Sequence, residues 1–77
     1  MADTDWHGMI AVDPEIQGGR PVIKGRRVPV YTLIGGLAGG MTVEEVCYEY
    51  GVTEEEVRAA LAYAAEVLAD ERVLQVT

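Results

Sequence analysis

Four cations within eight positions, Arg20, Lys24, Arg26 and Arg27, are the side chains whose type and spacing most invite a chemical role. No acid interrupts them, and residues 20–41 together carry a charge of +4. An extended arm bearing such groups can neutralise phosphates, an attraction that is salt-sensitive and largely indifferent to base sequence. It can also enter a minor groove. The plainer alternative is that these cations pair with acids of the helices or of a partner, and charge alone leaves the two readings level. Arg58 is a fifth candidate for DNA contact. The opposite charge gathers in Glu54, Glu55 and Glu56. Three carboxylates in a row suit a basic protein partner, and equally suit a first helical turn, where negative charge meets the positive end of the helix dipole.

Catalytic groups are scarce. Serine is absent, and His7 is the single histidine, standing in a polar leader with no partner near it in sequence. The lone Cys47 allows neither an intrachain disulfide nor a multi-cysteine zinc site, and it reads as a small buried hydrophobe. Carboxylates are numerous but show no metal-ligand spacing. The glycines at 35, 36, 39 and 40 lack the following Lys-Ser or Lys-Thr, and the long leading strand, of a phosphate-cradling loop. No enzyme, metal or cofactor is expected.

With 77 residues the chain reads as one domain, of a size that buries only about 60% of its unfolded surface. Phe is absent and the apolar content is mostly Val, Leu and Ala, so a homodimer is expected to supply what the core lacks. The net charge of -7 speaks against a general nucleic-acid binder. Its distribution is uneven: residues 1–19 carry -4 and residues 42–77 carry -7, on either side of the basic segment. No charged-then-apolar leader and no apolar run of roughly 18 residues is present, which points to the cytoplasm and away from a membrane.

These groups are positioned by a short list of elements. Residues 1–8 are polar and expected to fray. Residues 9–30 read as a β-arm: a strand at 9–12, a turn at Asp13-Pro14-Glu15, a joint at Gly18-Gly19, then a hairpin over 20–30 turning at Lys24-Gly25. Pro21 and Pro29 lack backbone donors, so neither hairpin strand is expected to be central. The arm should pair with residues 9–12 or with the arm of another subunit. A first helix is expected from 30 or 31 to about 37, with Leu33, Ile34 and Leu37 facing inward and its glycines permitting close packing. Residues 42–70 then outline a helix-turn-helix. Thr42 with Glu45, and Thr53 with Glu56, form two capping boxes, and Gly51 ends the first motif helix in a left-handed conformation. The apolar stripes fall at Val43, Val46, Cys47 and Tyr50, then at Val57, Ala60, Leu61, Ala64 and Leu68. The tail at 72–76 alternates weakly, as a short strand or a disordered end.

A DNA-reading helix-turn-helix presents the first residues of its second helix to base edges. Here those residues are Glu54, Glu55 and Glu56, the wrong sign for a polyanion. The motif therefore reads as scaffold or protein-binding surface, and any DNA contact is expected from the arm.

The residues also carry a resemblance. Asp13-Pro14, Gly18-Gly19-Arg20-Pro21 and Lys24-Gly25-Arg26-Arg27-Val28-Pro29-Val30, then Gly40-Met41-Thr42-Val43-Glu44-Glu45-Val46 and the segment 57–64, closely resemble the bacterial family of domain of unknown function 433 over residues 10–66. The family usually has Thr or another small residue where this chain has Arg26. The resemblance implies a mostly α, three-helix, homeodomain-like or winged-helix-like bundle with a helix-turn-helix and an N-terminal β-arm or hairpin. Some members resemble VapB-type antitoxins, encoded beside a PIN-like toxin, which bind that toxin and often their own promoter DNA. Two function classes follow: an antitoxin of this kind acting as a dimer, or a non-catalytic protein-interaction module that keeps the helix-turn-helix shape without binding DNA.

Overall fold

The computed structural model describes residues 6–13, 15 and 17–70. The chain runs β1 (Ile10–Ala11), a 3-10 turn (Gln17–Gly19), β2 (Val22–Ile23), α1 (Val30–Ala38), α2 (Val43–Tyr50) and α3 (Glu54–Asp70). It is a mostly helical fold of three helices with a small antiparallel strand pair, and α2 and α3 are joined by the three residues of a helix-turn-helix turn. The expected weak strand at 72–76 lies outside the described residues, as do residues 1–5.

Local chemistry sets the helix boundaries. Thr42 Oγ1 accepts from the Glu45 N–H at 3.0 Å while Glu45 Oε1 accepts from the Thr42 N–H at 2.9 Å. Thr53 and Glu56 repeat the arrangement at 3.0 and 2.9 Å. Each box satisfies two donors that a helix start otherwise leaves open. The residue before each cap, Met41 or Val52, joins the same apolar cluster as the residue four places inside, Val46 or Val57, the placement of a hydrophobic staple. Gly51, at φ 68 and ψ 36, ends α2, and both its N–H and that of Val52 return to the Cys47 carbonyl. Only glycine adopts that geometry without strain.

The core gathers Ile10 and Ile23 from the strands, Val30 and Leu33 from α1, Val46 from α2, Val52 from the turn, and Val57, Ala59 and Ala60 from α3. Burying each Val, Ile or Leu stabilises the fold by roughly 1.5–3 kcal/mol. Gly36 is where α1 meets α2: a Cβ there would stand 3.1 Å from Met41 Sδ and 3.4 Å from Val46 Cγ2, the close packing its composition suggested.

Three expectations are revised. β2 is not an edge strand: it pairs with β1 through Ile10–Ile23 and Ala11–Val22, and on its other side Val22 bridges Pro29. The prolines allow this because neither is asked to donate. The Ile23 N–H reaches the Val28 carbonyl, and the Val30 N–H reaches the Pro21 carbonyl. Secondly, Leu61 and Leu68 are exposed, and Ala59 is fully buried in their place. Only the first half of α3 contributes fully buried residues, and the small side chains of Ala59 and Ala60 permit close packing there. Thirdly, Trp6, grouped with a fraying leader, lies against α3. The Trp6 ring meets Tyr63 edge-on at 4.8 Å, and its Nε1–H donates to Glu66 Oε1 at 2.6 Å. His7 stacks on that indole at 4.0 Å.

Two glycines should respond in opposite directions to alanine. Gly51→Ala forces a Cβ into the left-handed region and should lower unfolding stability in urea by about 1–2 kcal/mol. Gly35→Ala sits in α1 with nothing within 4 Å of the added carbon and should raise it by about 0.5–1 kcal/mol.

Candidate interaction surface

The basic arm is held by its backbone before any side chain acts. After β2 the chain folds over Lys24 to Arg27, with the Arg26 and Arg27 N–H groups both returning to the Ile23 carbonyl and the Lys24 N–H donating to Met9 O at 2.7 Å. Gly25 takes φ 84, and Arg27 takes φ 60, a left-handed conformation rarely adopted by a residue with a side chain. This tight turn presents three cationic side chains within four consecutive positions, beside the start of α3.

Arg26 makes the decisive contact. Its Nε donates to Glu56 Oε1 at 2.7 Å, across 30 positions of sequence. The same Oε1 accepts the Thr53 N–H at 2.9 Å, so the carboxylate that caps α3 also anchors the arm. The Glu56 side chain is 17% exposed and that of Arg26 is 41%. Burial pushes the Glu56 pKa up. The Arg26 hydrogen bond, the Thr53 N–H, the Arg26 charge and the Thr53 hydroxyl together outweigh it, holding Glu56 below its ordinary 4.5.

The remaining candidates divide. Arg58 Nη2 donates to Glu54 Oε2 at 2.8 Å, an i,i+4 pair exposed on both sides. Arg20 lies at the start of α1, its guanidinium 5.3 Å from the Tyr31 ring centre and its Nη1 3.4 Å from the Tyr31 hydroxyl. Lys24 and Arg27 are exposed, and no carboxylate among the described residues pairs with either. Glu55 is exposed in the first turn of α3. The basic and acidic candidate groups are thus interleaved at one place: Arg26 and Arg58 are engaged by Glu56 and Glu54, which leaves Lys24, Arg27 and Glu55 facing water beside them.

Sequence reading missed the partners of Trp6 and Arg20. Tyr63 and Glu66 hold the former, and nothing in local spacing joins residues 60 apart. The acidic surface also extends onto α2, where Met41, Glu44, Glu45, Tyr48 and Glu49 line a shallow cavity of about 430 Å³. Tyr48 stands almost wholly in solvent there, 91% exposed. No helix of the described residues is long and apolar enough to cross a membrane.

Comparison with known proteins places this geometry. The model of the family described as "Protein of unknown function (DUF433)" matches residues 10–64, most of the chain. The chain belongs to the DUF433 family. It is 37% identical over 57 residues to the uncharacterized protein y4eO of Sinorhizobium fredii, covering 73% of this chain and 26% of that protein. It is 38% identical over 52 residues to the Mycobacterium tuberculosis protein named "Putative antitoxin VapB45", covering 68% of this chain and 22% of that one. The chain therefore spans about a quarter of the length of these curated relatives. Among solved structures, Rv2018 from Mycobacterium tuberculosis superposes with a TM-score of 0.62 at 38% identity, over 68% of this chain and 24% of that one. A DUF433 member from Anabaena variabilis superposes at 0.74 with 30% identity, over 82% and 63% of the two chains. DUF433 members thus share this fold.

The lowered Glu56 pKa gives a pH signature. A carboxylate whose pKa falls on folding contributes stability that is complete above its unfolded value, near 4.5, and is lost as pH drops through the lower native value. Glu56→Gln should cost roughly 1 kcal/mol at about pH 7, from the partly exposed ion pair and a weakened cap. That gap to the wild type should close in strong acid, as read by urea denaturation across pH. A gap that stays constant would remove the ion pair from the account.

Proposed function

We propose that this chain is the antitoxin member of a toxin–antitoxin pair: a non-catalytic, cytoplasmic dimer that binds a PIN-like toxin protein through the acidic start of α3. The observation that carries the reading is the sign of that surface. Where a DNA-reading helix-turn-helix offers base-contacting side chains, this one exposes Glu54 and Glu55, and two of the neighbouring cations are already engaged by Glu56 and Glu54. A carboxylate surface of this kind favours a basic protein and repels a duplex. Likeness to the protein named as antitoxin VapB45 supports the class of partner.

Binding to promoter DNA belongs to the same proposal in a restricted form. Lys24 and Arg27, with Arg20 as a more distant contributor, are the cations left to meet phosphates, so any contact with double-stranded DNA runs along the backbone and adds little sequence discrimination. The alternative, a protein-interaction module that does not touch DNA, is favoured by the engagement of Arg26 and Arg58. The two readings separate on salt dependence.

Binding of the chain to a duplex carrying its own promoter should be measured over a range of salt concentrations. Lys24→Gln with Arg27→Gln should reduce the slope of log affinity against log salt by about 1.8, two phosphate contacts at about 0.9 each. Arg58→Gln should leave it unchanged. No shift of the duplex even at low salt supports the interaction module. Failure of a co-expressed, genetically adjacent PIN-like protein to co-purify with the chain would overturn the antitoxin assignment itself.

A further inference from the structure

The two halves of α3 differ in what they bury. Val57, Ala59 and Ala60 lie in the core, while no residue from Leu61 to Asp70 is fully buried. Yet that second half is richly apolar. Leu61, Ala65 and Leu68, spaced i, i+4 and i+7, share one exposed side of the helix. Beside Leu68 a groove of about 300 Å³ runs between α3 and the start of α1, lined by Val30, Tyr31, Ile34, Ala64, Val67 and Leu68 among others. Among the described residues, Arg20 is its one charged wall residue.

We infer that this face is where a second copy of the chain docks, the two α3 helices crossing antiparallel about a twofold axis at Ala64 and Ala65. The pattern is self-complementary, as an isologous contact requires. Leu61 and Leu68 are equidistant from the midpoint between the two alanines. A twofold there sets Leu61 against Leu68 of the partner subunit, and Leu68 against Leu61 of the partner subunit. The alanines at the crossing let the helices approach closely, and the groove beside Leu68 receives the incoming leucine.

Charge selects the same occupant. Two chains of net charge -7 repel, so a self-interface must be free of carboxylates. At about 100° per residue, Glu55, Glu66 and Asp70 lie roughly 120–180° around α3 from Leu61. Glu66 is moreover bonded to Trp6, and Glu54, nearest the stripe, is paired with Arg58. Among the described residues the one carboxylate on this side of α3 is Glu54, about two turns before Leu61 and already paired with Arg58, so a basic partner is better served by the first turn of the helix.

Area agrees. Tyr31, Leu61, Val67 and Leu68 are 57%, 41%, 41% and 65% exposed. At about 200 Å² per large side chain they leave roughly 400 Å² in water, about half of the ~800 Å² that a specific interface takes from each partner. Ala64, Ala65, Ile34, Pro21 and the Arg20 stem lie alongside to supply more.

This interface deepens the dimer in the reading above. It rests on that reading for copy number only, so its test is independent of toxin and of DNA. Light scattering of the full chain over a concentration series should give twice the 8.3 kDa chain mass. Leu68→Glu and Leu61→Glu should each reduce it to one chain with unchanged helical circular dichroism, and Tyr48→Glu should not. In a Cys47→Ala background, a mixture of L61C and L68C should oxidise to a crosslinked pair containing one of each, faster than either alone. A monomeric wild type at every concentration overturns the proposal, as does a dimer that survives both glutamate variants. A mixture that crosslinks no faster than the single variants overturns the antiparallel register. Loss of toxin binding in Leu68→Glu with no change in mass would give the face to the toxin instead.

Discussion

A single carboxylate oxygen ties this molecule together. Glu56 Oε1 accepts both the Thr53 N–H that opens α3 and the Arg26 guanidinium that closes the arm turn. Without the first, the longest helix starts with an unsatisfied donor. Without the second, the turn over Lys24 to Arg27 keeps its backbone hydrogen bonds but loses its side-chain tie to the helices. The energy of the ion pair is modest, because Arg26 is partly in water. Its geometric effect is larger, since it fixes where the remaining cations, Lys24 and Arg27, stand relative to the acids of α3.

That arrangement reshapes the meaning of the helix-turn-helix. The motif is structurally complete: two capping boxes, two staples and a left-handed Gly51 define it. What it lacks is a cationic reading surface. Arg26 and Arg58, which a simple charge count assigns to DNA, are instead each held by a glutamate of α3. The outline is that of a helix-turn-helix while its exposed first turn is acidic, and the proposed role rests on that surface rather than on the outline.

Much of this was legible in the residues, for a physical reason: capping, left-handed glycine and helical periodicity are short-range effects. The boundaries at Thr42, Gly51 and Thr53 follow from side chains within three or four positions. The expectation for the prolines failed because donor loss matters only where the ladder needs a donor, and the ladder steps around Pro21 and Pro29. The stripe of α3 was drawn too far because periodicity shows which side is apolar, not how much helix its neighbours can cover. The Arg26–Glu56 and Trp6–Glu66 contacts were beyond reach, since they depend on the tertiary fold. Of the candidate site, the residue types were readable; that the acidic and basic sets are interleaved was not.

The two ends of α3 differ: the first turn carries Glu54, Glu55 and Glu56, and the second half exposes Leu61, Ala65 and Leu68 on the side away from Glu66 and Asp70. The central claim is the proposed role of the first turn, and neutralisation of a genetically adjacent PIN-like toxin tests it most directly. Growth should be followed in cells expressing that toxin with either the wild-type chain or a Glu54→Gln, Glu55→Gln variant, which keeps the Thr53–Glu56 cap. The account predicts that the wild type restores growth and the variant does not, although it remains folded and abundant. Full rescue by the variant would contradict it and move the binding surface elsewhere.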